Sequence, residues 1–166
     1  MKIILINGRG GVGKDTFVSL CQRMIDENKI LNISTITPIK EAAAILGWDG
    51  VKDEKGRKFL SDLKDLATKN YNLSEKYIRK EIENAKERKV KVIFIHCREP
   101  AELGLFKDLF DAKTLLIKND RVKRIESNHA DRNAENYFYD FTIDNNEGIL
   151  ELTKKAALFL EEVGVL

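Results

Sequence analysis

The sequence has little cysteine, histidine, proline or tryptophan, no long apolar run and no excess of one charge sign, and each scarcity removes a class of function. Cys21 and Cys97 are the only cysteines among 166 residues. Without a C-x-x-C or a neighbouring pair of histidines they supply neither a disulfide framework nor a zinc site. Met1-Lys2 leads into too few apolar residues for a signal-peptide core, and no run approaches the roughly 18 apolar residues of a bilayer-spanning helix. The chain is therefore expected to be cytoplasmic and reduced, with no membrane partner. Lys and Arg number 29 against 27 Asp and Glu, interleaved along the chain for a net charge of +2. No basic arm or stripe is present to hold nucleic acid by counterion release. A bound polyanion is expected instead to be small and held in a pocket.

What is present is an alternation of periods. Ile3-Ile4-Leu5-Ile6 is a short continuous apolar run, the mark of a strand buried on both faces. Phe17, Leu20, Cys21, Met24 and Ile25 then recur at helical spacing. A second strand is read over 33–37, where Thr37-Pro38 looks like an N-cap followed by proline at the first position of an Ala-rich helix to Leu46. Gly47-Trp48-Asp49-Gly50 breaks that helix. Two amphipathic helices follow, one marked by Phe59, Leu63, Leu66 and Ala67. The other carries Leu73, Tyr77, Ile78, Ile82 and Ala85, behind a capping-box-like pair of Asn72 and Glu75. The longest strand candidate, 90–97, is expected to be central. A helix from Pro100 through Phe110, strands over 114–117 and 138–143, and a last helix bearing Ile149, Leu152, Ala156, Leu160 and Val163 complete the pattern.

Five strands alternating with helices predict a doubly wound α/β sandwich of three layers around a mostly parallel sheet. The whole chain, 1–166, is expected to be one domain, with an insert over 38–88 after the second strand. The weakly periodic stretch 120–136 is long for a connection in a compact domain, so it is either functional or disordered.

The first strand ends in Asn7, and Gly8-Arg9-Gly10-Gly11-Val12-Gly13-Lys14-Asp15-Thr16 follows before the helical stripe. This matches the G-x-x-x-x-G-K core of a P-loop in the strand–loop–helix context such a match requires. Glycines let successive backbone N–H groups turn onto phosphates, and the helix N-terminus adds the positive end of its dipole. Lys14 is placed to reach β- and γ-phosphoryl oxygens as they gain charge. Gly8, Gly10, Gly11, Val12, Gly13, Lys14, Asp15 and Thr16 are thus expected to hold ATP with Mg²⁺, Lys14 acting in catalysis. A plain Gly-rich turn would leave a lysine at that spacing unexplained. The departure is Asp15, where the usual motif has Ser or Thr on the metal. A carboxylate there needs a metal between itself and the phosphates or must point away, and Thr16 becomes the available hydroxyl.

Gly13-Lys14-Asp15-Thr16 resembles the G-K-D-T of bacteriophage-type deoxynucleoside monophosphate kinases and is similar to the G-K-G-T of adenylate kinases. The resemblance implies a P-loop NTPase fold, a contact of Thr16 with the α-phosphate region, and Mg²⁺ held largely through water. Residues 9–14 also resemble the K-G-G-x-G-K loop of partition- and Min-type ATPases, with Arg9 replacing their signature Lys. Thr35-Ile36-Thr37-Pro38, however, lacks both acids of the D-x-D-P those proteins carry after the next strand.

A phosphate acceptor is already anionic, so transfer to it needs cations more than a strong base. In doubly wound sheets those cations belong near the C-terminal ends of strands. Arg98 follows the central strand, and residues 95–102 are similar to the D-V-R-x-P-x-E segment of phage-type monophosphate kinases. That resemblance implies Arg98 as a ligand of the acceptor phosphate or of the transferring group. His96 stands where the family has Asp, which leaves Glu99 as a candidate acid for the metal beside Asp15 and Thr16. An ion pair with a neighbouring Glu is the plainer reading of Arg98. Arg57 lies at a helix start where such kinases grip the acceptor phosphate, with Asp62 and Asp65 on the same helix; a solvated charged face explains all three equally well. The stretch 120–136 holds Arg121, Lys123, Arg124 and Arg132 against four acids, and lies where these kinases carry a lid that brings arginines to the γ-phosphate. Arg124 and Arg132 are the expected catalytic arginines, ahead of Arg121, and His129 is read as a surface histidine. Asp144-Asn145-Asn146 resembles the segment bordering the adenine.

The expected function is ATP-dependent phosphoryl transfer to a small phosphate-bearing acceptor, a nucleoside or deoxynucleoside monophosphate. One alternative is a kinase of another phosphorylated metabolite, since some mevalonate-pathway phosphate kinases also use a G-K-D-type loop. The other is a nucleotide-binding switch without kinase activity, which Asp15 and His96 suggest.

Overall fold

The computed structural model describes residues 1–122 and 134–166. β1 (Lys2–Asn7) lies between β3 (Val92–His96) and β4 (Lys113–Lys118), and β2 (Ile30–Ser34) and β5 (Phe141–Asp144) complete the order β2-β3-β1-β4-β5. β1 runs parallel to β3, with Ile6 opposite His96, and parallel to β4, with Asn7 opposite Leu116; β4 and β5 are parallel too. A sheet covered on both faces needs strands that are apolar on both faces, and Ile4, Leu5, Ile6, Ile93, Phe94, Ile95 and Leu115 are fully buried.

On one face Ile4, Ile6, Phe94 and Ile117 share a core with α1 (Lys14–Ile25) and α6 (Ile149–Glu162). Phe17 of α1 meets Phe94 of β3 and Phe159 of α6 edge-on, with ring centroids 6.3 and 5.6 Å apart. Against the other face α5 (Pro100–Phe110) packs on β1 and β4 and buries Leu103 and Phe106. The result is the doubly wound α/β sandwich that the alternation of periods predicts.

The chain divides into two compact units, 1–33 with 85–166 and, separately, 34–84. The second unit holds α2 (Thr37–Ile45), α3 (Glu54–Tyr71) and most of α4 (Leu73–Glu87). Its core is small: Ile39, Ala43 and Leu60 are buried, with Trp48, Phe59 and Leu63 packed against them. Trp48, the only tryptophan, donates its indole N–H to the Val51 carbonyl at 3.0 Å and closes the turn after α2. Gly56 lies under that turn, where a Cβ would run into the same carbonyl.

Three expectations shift. β2 spans Ile30–Ser34 instead of 33–37, because residues 35 and 36 turn and Ile36, not Thr37, is the N-cap of α2. Pro38 still falls in the first helical turn, where its missing N–H leaves no bond unmade. Asn72 adopts a left-handed conformation (φ 49°) as the C-cap of α3. β5 starts at Phe141 and not at 138, because Asp140 is pinned to β4 and α5. Its carboxylate accepts from the Thr114 amide and hydroxyl, both at 2.8 Å, and pairs with Lys107 at 2.9 Å, while Phe138 is 93% exposed. Among the described residues, no helix is long and apolar enough to cross a membrane.

Candidate active site

The loop after β1 is held at its entry by one buried amide. Asn7 is 1% exposed. Its Oδ1 accepts the Gly8 N–H at 2.7 Å, and its Nδ2 donates to the Tyr139 hydroxyl at 2.8 Å and the Arg98 carbonyl at 3.2 Å. Gly8 then passes so close to β4 that a Cβ would strike the Ile117 carbonyl. Gly11 and Gly13 take positive φ values of 80° and 100°, which a residue with a side chain rarely adopts. Gly13 is the N-cap of α1 and offers no side-chain acceptor to the first N–H groups of that 12-residue helix. Those donors and the dipole end of α1 form the anion-binding concavity that the motif requires. Asn145, after β5, braces the loop by donating to the Val12 carbonyl at 2.9 Å.

Lys14 is buried, 8% exposed, and its Nζ donates to the carbonyls of Gly8 at 2.5 Å and Arg9 at 2.8 Å. The ammonium is thus centred over the loop from which it springs. Arg9 turns its guanidinium onto Glu135 at 2.6 Å, with only 11% of the side chain exposed.

His96 ends β3 beside the loop. Its Nε2 lies 2.9 Å from Asn32 Oδ1 and 3.5 Å from Asp15 Oδ1. Both partners are acceptors, so Nε2 carries the proton. Burial pushes the imidazole down to about 4; the Asp15 charge opposes that fall, and the Lys14 and Arg98 charges add to it. A neutral N–H donor bonded to Asn32 therefore stands where the resemblance places a carboxylate, with Asp15 3.5 Å away. The Asp15 side chain is 88% exposed, and Thr16 is exposed beside it.

The arrangement fits a nucleotide phosphate, because backbone donors, a helix N-terminus and Lys14 converge at one loop. Among the described residues no group of three or more His, Cys, Asp or Glu side chains could hold a metal. Mg²⁺ demands near-octahedral oxygen ligation, so it fits here only as an ion whose ligands come mostly from phosphate and water, with Asp15 and Thr16 as the protein oxygens at the loop's mouth.

The other expected residues are scattered. Arg98 is exposed just after β3, and its charge bears on His96. Glu99 is the half-buried N-cap of α5, capping through its carbonyl, which accepts from Leu103 N at 2.9 Å, and not through its side chain. Arg57 is exposed on α3, in the second unit, next to a Lys58–Asp62 pair at 2.8 Å; Asp65 is exposed as well. Arg121 is exposed, while Lys123, Arg124, His129 and Arg132 lie outside the described residues. The loops after β4 and β5 interlock: Asp120 N donates to Asn146 Oδ1 and Asn146 Nδ2 to Asp120 Oδ2, both at 2.8 Å. Sequence reasoning missed Asn32, Glu135, Tyr139 and the role of Asn7. Only Asn7 had a signal, an amide between a fully buried strand and the first loop glycine; the others meet the site across long stretches of chain.

No family model matches the sequence, and no curated protein matches it. Solved structures do match along its length. The shikimate kinase from Aquifex aeolicus is 16% identical, with 99% of each chain covered and a TM-score of 0.50. The Mycobacterium tuberculosis APS kinase CysC in complex with AMPPNP and APS is 10% identical, with 98% of this chain and 96% of that one covered and a TM-score of 0.50. At such identities the likeness is one of architecture, and with the strand order and the Gly8–Lys14 loop it gives the chain the fold of the P-loop NTPases.

Proposed function

We propose that this chain is a P-loop kinase that binds ATP with Mg²⁺ and transfers the γ-phosphoryl group to a small phosphate-bearing acceptor, a nucleoside or deoxynucleoside monophosphate. The observation that carries the reading is the loop itself, with buried Lys14 aimed by the Gly8 and Arg9 carbonyls beside the uncapped N-terminus of α1. Two structures of this fold are kinases of small molecules, one of them with AMPPNP bound, which agrees with the reading without carrying it.

Bound ATP and Mg²⁺ supply the phosphoryl group and the divalent charge that shields it. The chain's own groups supply position and a fixed field. Backbone N–H groups of the loop beyond Gly8 and of the first turn of α1, with the helix dipole, hold the phosphates. Lys14 places a positive charge where charge builds as the phosphoryl group moves. Asp15 and Thr16 face the metal. Arg98, and in the second unit Arg57, are the cations assigned to the acceptor. The stretch 120–136 is assigned to the lid, Arg124 and Arg132 within it to the transferring group, and Glu99 to the metal.

A second reading is favoured by His96. A neutral imidazole does not take the place of a metal-ordering carboxylate, and a protein that binds nucleotide without transferring its phosphoryl group does not need the metal ordered for transfer. ADP release with ATP–Mg²⁺ and a panel of ribo- and deoxyribonucleoside monophosphates separates the two. Selective turnover with one monophosphate establishes the kinase and names its acceptor. ATP binding with no turnover on any monophosphate, nor on non-nucleotide phosphorylated acceptors, together with a partner that binds only the nucleotide-loaded form, establishes the switch.

A further inference from the structure

Lys14 takes its aim from two carbonyls, those of Gly8 and Arg9. Each of those residues is in turn held from one short stretch of chain, 134–139, just before β5. Gly8 is held through Asn7, whose Oδ1 accepts the Gly8 N–H at 2.7 Å while its Nδ2 donates to Tyr139 at 2.8 Å. The Tyr139 hydroxyl in turn donates a hydrogen bond to the Ala134 carbonyl at 2.5 Å. Burial pushes the Tyr139 hydroxyl up to about 12, so it stays protonated and can donate and accept at once. Arg9 is held directly by Glu135 at 2.6 Å, with side-chain exposures of 11% and 29%. A charge-assisted contact so little exposed is weakly screened by solvent.

We infer that Glu135 and Tyr139 are positioning residues for the phosphate loop, acting on Lys14 through Arg9 and Asn7. Two chains of contact, both from 134–139, end on the two residues whose carbonyls aim one ammonium. The consequence for binding is steep, because a phosphate ligand displaced by an ångström loses much of its worth. The inference rests on the kinase reading of Lys14.

Glu135→Gln removes the charge and Tyr139→Phe the hydroxyl, and both keep the side-chain volume. ATP affinity with Mg²⁺ is measured calorimetrically, and amide hydrogen exchange over 8–14 is followed in the nucleotide-free protein. The affinity measurements are repeated in a Lys14→Ala background. Each variant is expected to weaken ATP by roughly 10-fold, the loss of one charged or buried hydrogen bond. Each should also speed exchange over 8–14, and neither should weaken ATP further once Lys14 is alanine. Wild-type affinity and exchange in both variants, or a loss of equal size in the Lys14→Ala background, overturns the positioning role and leaves the kinase reading standing. A wild-type protein that does not bind ATP overturns the kinase reading and this inference with it.

Discussion

The phosphate loop and helix α3 each carry a cation that the sequence marks for phosphate, Lys14 in one and Arg57 in the other, and the two are held in opposite ways. Lys14 is buried, fixed by two carbonyls, and set in a loop that Asn7, Glu135, Tyr139 and Asn145 brace from three other parts of the chain. Arg57 stands exposed on the first turns of α3, among charges that pair along the helix surface. A preorganised group acts through a field that is already in place, whereas an exposed arginine must give up solvent and side-chain freedom before it grips anything. The difference accords with the roles proposed above, Lys14 on the donor side and Arg57 on the acceptor side.

The largest test of that contrast is Lys14→Ala, which is expected to cut ADP release by about 100-fold or more, since it removes charge where the transition state gains it. Gly8→Ala should follow. Its Cβ would meet the Ile117 carbonyl at a φ of 143°, so ATP binding is expected to be lost together with a fall in melting temperature of several degrees, on the order of 1–3 kcal/mol of backbone strain. Arg57→Ala should raise the acceptor KM by roughly 10-fold, the loss of one charged contact, and leave ATP affinity untouched. If ATP affinity falls instead, Arg57 serves the donor side and the division drawn here is wrong.

A gentler probe is pH. The folded His96 titrates near 4, below its ordinary 6.5, so the unfolded chain binds the extra proton first. The contribution to stability is complete above about 6.5 and is lost as pH falls toward 4. His96→Gln is expected to flatten the melting-temperature profile in that window, and an unchanged profile would remove the buried neutral imidazole from the site. The smallest effect is expected from Lys58→Ala, which breaks an exposed pair on α3 and should leave the melting temperature unchanged within error.

The parts legible in the sequence were those written in consecutive residues. Ile3 to Ile6 announced a central strand, because a strand buried on both faces cannot alternate. The glycines from Gly8 to Gly13 announced a loop, because three of them need backbone conformations closed to other residues. Element ends were less legible. The strand placed at 33–37 and the one placed at 138–143 were read from side-chain type, but the ends of β2 and β5 are set by Ile36 as a cap and by the Asp140 anchor to Thr114 and Lys107. Least legible were Arg9 with Glu135 and Asn7 with Tyr139, because a polar contact between distant residues leaves no local pattern.

Trp48 makes the two units separately observable in one sample. It is the only indole in the chain and belongs to 34–84, whereas the rings stacked beneath the sheet are phenylalanines: Phe17, Phe94, Phe141 and Phe159. Emission excited at the red edge of the absorption band therefore follows the helical unit alone, while exchange of the β1 and β3 amides follows the sheet. Coincident denaturation curves from the two signals would justify a single free energy for the molecule. Separated curves would assign each substitution above its own reporter, with Arg57 and Lys58 read by light and Lys14, Gly8 and His96 by exchange.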